Sequence, residues 1–426
     1  MNILNGLPLP GREPISYYDC GNGAVMALYP HSCREEYEAV CAAFTADGFP
    51  VFQETEREGN LFCCVKKDGL TVQIWLASDD SALRIAADPF TAPYATEPEK
   101  GDKPVVLWQF EVDHTLIDCG MCYIVKNGLG HFFIVDSAHT YSVHDNDRLY
   151  EFLRRQTPAG EKIVIDGWFF SHGHVDHIGK FCDFLRYNCG DDVEIKGLYY
   201  NFVPCDHRDN GNWMASDKIF TEHFHQLVES TDIPKIKLHT GQRFFIGDLQ
   251  LDVLCTHEDV HPKDLANYND STVVLRMEAG GSVVMFPGDA GAEESAILCA
   301  RYPASLKCDV MQDAHHGHFG CTADFYELAH AAVVLFPTTQ IMFDGDLPRY
   351  EANRKAIELC ERYYIAANGT VEIPLPLDLE TIRVYPDETF EDFEGVYNLW
   401  GYEYTAEYKQ RLYREYLARG GKAKEI

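Results

Sequence analysis

The sequence is poor in positive charge: 36 Lys and Arg stand against 67 Asp and Glu, a formal net charge of −31. Such an acidic surface repels polyanions over a Debye length and offers no counterion-release gain, so duplex nucleic acid is not expected as a partner. No apolar run approaches the length of a membrane span, and no membrane association is expected. The first residues, MNILNGLPLPGREP, lack a basic stretch followed by a long apolar block, so no secretory signal is expected. Short-period repeats are absent. So is a partner for the CxxC pair Cys119 and Cys122. With no second pair at zinc-ribbon spacing, and with YIV following as strand, that pair reads as structural. Fifteen cysteines without a secretory signal point to a reducing cytoplasm and free thiols. Hydrophobic content is not lacking: 46% over 426 residues supports two domains or more with real cores.

The rest is organised around SHGHVDHIGK, Ser171 to Lys180. A solid apolar run, Ile163 to Phe170, precedes it, broken only by Asp166 and Gly167. After it, Ile178, Phe181, Cys182 and Leu185 fall at helical spacing. The stretch therefore reads strand, loop, helix, with four metal-ligand types packed into the loop. His172 and His174 can turn to one ion, Asp176 and His177 to a second. Imidazole with carboxylate suits zinc best, with manganese or iron as alternatives. The competing reading is a His-rich surface loop without metal.

His-x-His-x-Asp-His after a buried strand resembles the signature of the metallo-β-lactamase fold. That resemblance implies an α/β protein, a four-layer αβ/βα sandwich. The blocks SHGHVDHIGK, NDSTVVL, FPGDA and HHG occur in the order seen in the hydrolase domain of ComEC-type DNA-uptake proteins, over roughly Val105 to Asp378. Two departures are visible: His318 stands where serine usually follows HHG, and Thr272 where serine is usual. The resemblance implies that Asp136, in IVDSAHT, supports the metal loop through hydrogen bonds. It also places a third ligand of the first ion near His257, with His261 as substitute. Asp289, ending a strand in Pro-Gly-Asp, can reach both ions; the alternative is an N-cap for the helix Glu293 to Arg301. Of His315 and His316, the second is assigned as ligand and the first as the substrate-facing partner, with the reverse left open. His139 is either a solvated loop histidine or a cleft residue. His207 and Arg208, in PCDHRDNGNW, lie in a substrate loop or a plain surface loop. His318 is a further candidate near the substrate. His223 and His225 read as helix-face residues.

Residues 1–100 form a small α+β unit of unassigned role, residues 101–385 the hydrolase-like domain, and 386–426 a polar, helical tail. In the first unit, Ser32 and Glu35 have capping-box spacing ahead of the stripe Tyr37, Val40, Cys41, Phe44. Strands are expected at Phe49 to Thr55, Leu61 to Lys67, Leu70 to Ala77 and Ala82 to Ala87, with a hairpin at Asp68-Gly69. The Pro-rich linker Thr91 to Pro104 suggests that residues from about 101 onward can stand alone. The function implied is hydrolysis by a dinuclear zinc site and bridging hydroxide, with Asp176 and His315 as catalytic groups. A small soluble phosphodiester is the first substrate class. Ester, lactone or thioester hydrolysis, a nuclease, and a non-catalytic metal-binding or sensing module are the alternatives.

Overall fold

The computed structural model describes residues 3–385 apart from 114–116, 118, 143, 205–214 and 347. Residues 386–426, read above as a helical tail, and His207 and Arg208 lie outside the described residues. The protein is mixed α/β, with three sheets among the described residues. No helix of the described residues is long and apolar enough to cross a membrane.

The N-terminal sheet is antiparallel, in the order Ser16–Gly21, Ala24–Tyr29, Leu83–Asp88, Leu70–Leu76, Asn60–Lys67, Val51–Arg57. Asp68 and Gly69, at φ 51° and 81°, make the two-residue hairpin turn. The first two strands escape sequence patterning because Ala24–Tyr29 is buried along nearly its whole length and shows no polar alternation. The helix Arg34–Ala46 buries Tyr37, Val40, Cys41 and Phe44 on one face of this sheet. The expected capping box does not form. Cys33 is the N-cap, and the Ser32 hydroxyl is already committed, donating to the Tyr29 carbonyl and accepting from Arg12.

The opposite face, with Tyr18, Met26, Phe62 and Trp75, packs on the rest of the chain. Trp75 Nε1 donates to Asp259 at 3.3 Å, Tyr18 meets His257 at 2.9 Å, and Lys237 donates to the Gly21 carbonyl at 2.9 Å. The linker is stapled down as well, through Ala92 N to Lys235 O, Phe245 N to Ala95 O and Glu99 N to Gly247 O.

A second sheet runs Lys235–Lys237, Leu198–Tyr200, Ile163–Phe169, Phe132–Val135, Tyr123–Lys126, Val105–Gln109, Thr370–Leu375, Arg383–Tyr385, with Val193–Ile195 also beside Ile163–Phe169. A third runs Arg243–Ile246, Leu249–Cys255, Val274–Ala279, Ser282–Phe286, Val310–Gln312, Val333–Phe336, Arg362–Ile365. Gly280 and Gly281, at φ 58° and 90°, close the hairpin expected between two of these strands. Thr370–Leu375 escapes sequence reading because Pro374 argues against a strand; there it pairs Val106 on one side, while Arg383–Tyr385 reaches only Thr370 to Glu372 on the other.

Burial explains the solid apolar runs. In Phe132–Val135, Phe133 and Val135 join a cluster with Phe244, Leu251, Leu275 and Val310 of the third sheet. Phe132 and Ile134 instead join Leu153, Ile178, Phe181 and Phe224 from the helices Asp145–Gln156, Val175–Tyr187 and Ala215–Glu229. Strands buried on both faces lose polar alternation. A further cluster joins Met285, Met311 and Val334 of the third sheet to Leu298 and Phe325 of the helices Ala292–Arg301 and Ala323–Ala329.

Expressing residues 101–426 alone is expected to give insoluble or thermally weakened protein, because the cut bares the surface under Tyr18, Phe62 and Trp75. A soluble fragment with the Tm of the full chain would show that this packing contributes nothing. The same interface holds His239, buried between Asp88 (3.4 Å) and Glu258 (2.9 Å). Burial alone would lower its pKa, but Glu258 and Asp88 outweigh burial and raise it to about 9. A pKa higher in the folded than in the unfolded chain contributes stability that is complete below about 6.5 and lost as pH rises through about 9. Denaturant midpoints should therefore fall across that window, and His239→Gln should flatten the fall.

Candidate metal centre

Four strand ends converge. Asp136 follows Phe132–Val135 and Ser171 lies just beyond Ile163–Phe169; these strands run parallel. Asp289 follows Ser282–Phe286, and His315 and His316 follow Val310–Gln312, a second parallel pair. The carboxyl ends of parallel strands are where α/β sheets commonly form their crevices. The helix Val175–Tyr187 starts inside the motif, with His174 as its N-cap and Asp176 in its first turn, where the helix dipole favours a carboxylate. The motif loop itself is thus only a few residues long.

Its close packing needs glycine at two places. A Cβ on Gly173 would lie 2.5 Å from the Tyr268 hydroxyl, and one on Gly288, at φ 57°, 2.9 Å from Ser171 Cβ. Tyr268 also stands against the His174 ring, with centroids 5.1 Å apart, and its hydroxyl is 3.2 Å from Thr221 Oγ1.

Two groups of ligand types result, and both contain Asp289. One is His172, His174 and Asp289; the other is Asp176, His177, Asp289 and His316. His172 Nε2 is 2.9 Å from His174 Nδ1 and 3.8 Å from Asp289 Oδ2. His177 Nε2 is 3.3 Å from Asp289 Oδ2 and 3.8 Å from Asp176 Oδ2. His316 Nε2 is 3.0 Å from Asp176 Oδ2 and 3.6 Å from Asp289 Oδ1. Asp289 does not cap the following helix: Gly291 is the N-cap of Ala292–Arg301, and Glu294 accepts from the Gly291 amide.

The far sides of the rings are fixed. His177 Nδ1 faces Asp136 Oδ2 at 2.9 Å, and Asp136 also accepts from Ser171 N at 2.8 Å and Ser171 Oγ at 2.9 Å. His316 Nδ1 donates to the Pro337 carbonyl at 3.1 Å. In their neutral forms both rings therefore turn the Nε2 lone pair inward. His177 Nε2, His316 Nε2 and Asp289 Oδ1 are all buried, and none makes a hydrogen bond of acceptable geometry. Converging buried lone pairs of this kind are costly unless a cation meets them, so the donor set fits divalent metal.

The charges are strongly coupled. Burial drives the His172 pKa well below its usual value. For Asp289 and Asp176 burial pushes upward, but His177 and His316 outweigh it and hold both carboxyls well below the usual range. For His177 burial pushes downward, and Asp289, Asp176 and Asp136 reverse it.

The remaining expected residues separate. His315 is the partner that faces outward: Asn269 Nδ2 lies 2.8 Å from its Nε2, and Asp289 Oδ2 3.8 Å away. His315 and Asp289 line an open cleft of about 560 Å³ together with Asn269, His318 and Phe319. His257 is not brought to the cluster. Its Nδ1 meets the Tyr18 hydroxyl and its Nε2 meets Asn201 Oδ1 at 3.1 Å, so the N-terminal sheet holds this ring instead. His261 is likewise drawn to that sheet, 2.7 Å from Ser16 Oγ. His139 is a buried residue rather than a solvated one, with 6% of its surface exposed. Its Nδ1 accepts from the Tyr141 amide, and burial lowers its pKa to about 4. Asn269, Ser171 and Tyr268 were missed as site residues. Ser171 and Asn269 stood inside quoted motifs, but only the fold shows which rings they touch.

No family model matches the chain. It is 30% identical to ComE operon protein 3 of Bacillus subtilis (strain 168) over 244 residues, covering 53% of this chain and 28% of that protein. The chain thus spans little more than a quarter of that relative. Among solved structures, a mutant of CmlA beta-hydroxylase aligns with a TM-score of 0.38 and 11% identity, over 66% of this chain and 55% of that one. A likeness at that level carries no structural argument.

Asp289→Ala should deplete both groups of metal, whereas Asp176→Ala should deplete mainly one. Elemental analysis of the purified variants measures this, and two metals retained by Asp289→Ala would remove its shared role. Asp136→Asn should cost roughly 10- to 100-fold in metal affinity, because it frees Ser171 and His177 together; chelator competition reads that change.

Proposed function

We propose that the chain is a metal-dependent hydrolase of the metallo-β-lactamase type, with a dinuclear centre, acting on a small soluble phosphodiester. The observation that carries this reading is the pair of ligand groups sharing Asp289, a residue that also lines an open cleft. The three apolar clusters support a four-layer αβ/βα arrangement of helices, two sheets and helices. The similarity to ComE operon protein 3 supports the same assignment. Cysteine usage and the absence of a membrane-length helix among the described residues support a cytoplasmic setting.

One ion would be held by His172, His174 and Asp289, the other by Asp176, His177, Asp289 and His316. Zinc matches imidazole with carboxylate best; manganese and iron are the alternatives. Bound there, such ions supply Lewis acidity and bring the pKa of water toward neutrality. The chain's own groups do the rest. Asp136 and Ser171 fix His177, and Pro337 fixes His316, so the inward lone pairs are preorganised. His315, steadied by Asn269, stands at the cleft side of Asp289, where it can exchange a proton or hydrogen bond with the leaving group. The net charge of −31 disfavours a long duplex, so the nuclease reading ranks lower.

A second reading is hydrolysis of an uncharged ester, lactone or thioester. It is favoured by the carboxylates Asp270, Glu293 and Glu351 in the cleft lining. A non-catalytic metal-binding module is a third reading. Protein purified without chelator should hold two metal ions per chain. It should turn over bis(p-nitrophenyl) phosphate or a cyclic dinucleotide faster than duplex DNA, a lactam or a thioester. No metal after zinc supplementation would sink the dinuclear centre. Metal with activity only on the thioester or lactam would sink the phosphodiesterase, and metal without any turnover would leave the binding module.

A further inference from the structure

We propose that Phe319 is a platform on which the substrate stacks a flat aromatic ring, carried on the leaving-group side of the hydrolysed bond. This rests on the hydrolase reading and names a substrate class within it, phosphodiesters with a ring-bearing leaving group. Phe319 is 64% exposed, more than any other large hydrophobic side chain among the described residues. It lines the same cleft as Asp289 and His315. Its ring centroid is 4.6 Å from that of His315, with the two planes at 82°. His315 Nε2 is in turn 3.8 Å from Asp289 Oδ2. A group departing past His315 therefore meets Phe319 next.

The exposure is imposed by the chain on either side. His318 N donates to the His315 carbonyl at 2.8 Å, and Gly320 N donates to the His318 carbonyl at 3.0 Å. A Cβ on Gly320 would lie 2.8 Å from Ala314 Cβ, so the turn is closed tightly against Ala314. Cys321 is buried, and Thr322 N donates to Ser295 Oγ at 3.0 Å. The backbone is thus held at both flanks, and the Phe319 side chain is left in the cleft. A single exposed hydrophobe on an open surface needs no explanation. One held by a pinned turn in a cleft beside ligand groups is a contact surface. The composition of the cleft decides what it contacts. Among the described lining residues the large apolar side chains, Phe319 and Tyr350, are both aromatic, and the aliphatic ones are alanines. A site for an acyl or alkyl chain would be walled by Leu, Ile, Val or Met, and none of these is in the lining. An aromatic side chain attracts a second ring by offset or edge-on stacking, and that part of the attraction requires a planar π-system.

The test uses full-length, metal-loaded protein and calorimetry with non-hydrolysable probes: phenylphosphonate, cyclohexylphosphonate and, for the head group alone, methylphosphonate. The first two share an anionic head and similar apolar bulk, but only the first is planar. The wild-type protein should bind phenylphosphonate roughly three- to tenfold more tightly than cyclohexylphosphonate, the range a single aromatic pair contributes. Phe319→Ala should abolish that preference, and Phe319→Tyr should keep it. Ile219→Ala, which trims another exposed hydrophobe on the helix Ala215–Glu229 outside the cleft lining, should leave it unchanged. Equal affinities for the two probes in the wild-type protein would overturn the platform, as would a preference that survives Phe319→Ala. Either result beside turnover of bis(p-nitrophenyl) phosphate would leave the hydrolase reading standing. A ring preference that depends on Phe319, with no phosphodiester turned over, would overturn the phosphodiesterase reading alone. Failure of all the phosphonates to bind would overturn both.

Discussion

Everything at the centre depends on the Asp289 carboxylate being buried within reach of four imidazoles. His172, His177, His315 and His316 all approach it within 4 Å, from two stretches of chain far apart in sequence. A carboxylate at 2% exposure is costly unless opposite charge surrounds it. Here His177 and His316, whose pKa values the carboxylates raise, supply part of that charge, and a divalent ion would supply it more fully. The burial that makes the site costly to assemble also makes each interaction within it strong.

The supporting layer then follows from a simple requirement: each ring must present one nitrogen inward, so its other nitrogen must be held. Asp136 holds His177, and a backbone carbonyl holds His316. Asp136 sits at φ 55° and His316 at φ 56°, and His315 at 52°. Left-handed backbone at non-glycine residues is uncommon and gathers where a structure needs side chains aimed against local preference.

The N-terminal unit changes meaning once its contacts are seen. Its apolar face and its polar groups both close on the second unit, and the residues it engages include His257, Asp259 and Lys237. The ring expected to ligate an ion is instead an anchor for that sheet. Its position after Leu249–Cys255 matched a pattern; its partners, Tyr18 and Asn201, are distant in sequence and gave no local sign.

Much of the centre was legible in the chain because its chemistry is local. His172, His174, Asp176 and His177 lie within six residues of one another, and a strand-to-helix turn confines them to one place whatever surrounds it. Asp289 was legible because small residues and a strand end mark it, and the pair His315-His316 was legible at its own strand end, but not which of the two turns inward. Glycine hairpins at Asp68-Gly69 and Gly280-Gly281 were legible for the same reason: positive φ restricts residue choice. Tertiary structure alone decided whatever depended on a distant partner. It turned His316 inward and His315 outward, buried His139 and gave His257 to the N-terminal sheet. It committed the Ser32 hydroxyl to Tyr29 and admitted Pro374 into a strand. In each case the side chain had more than one acceptable local role. The choice among them was made by the desolvated partner that folding placed against it, and no spacing within the sequence encodes that partner.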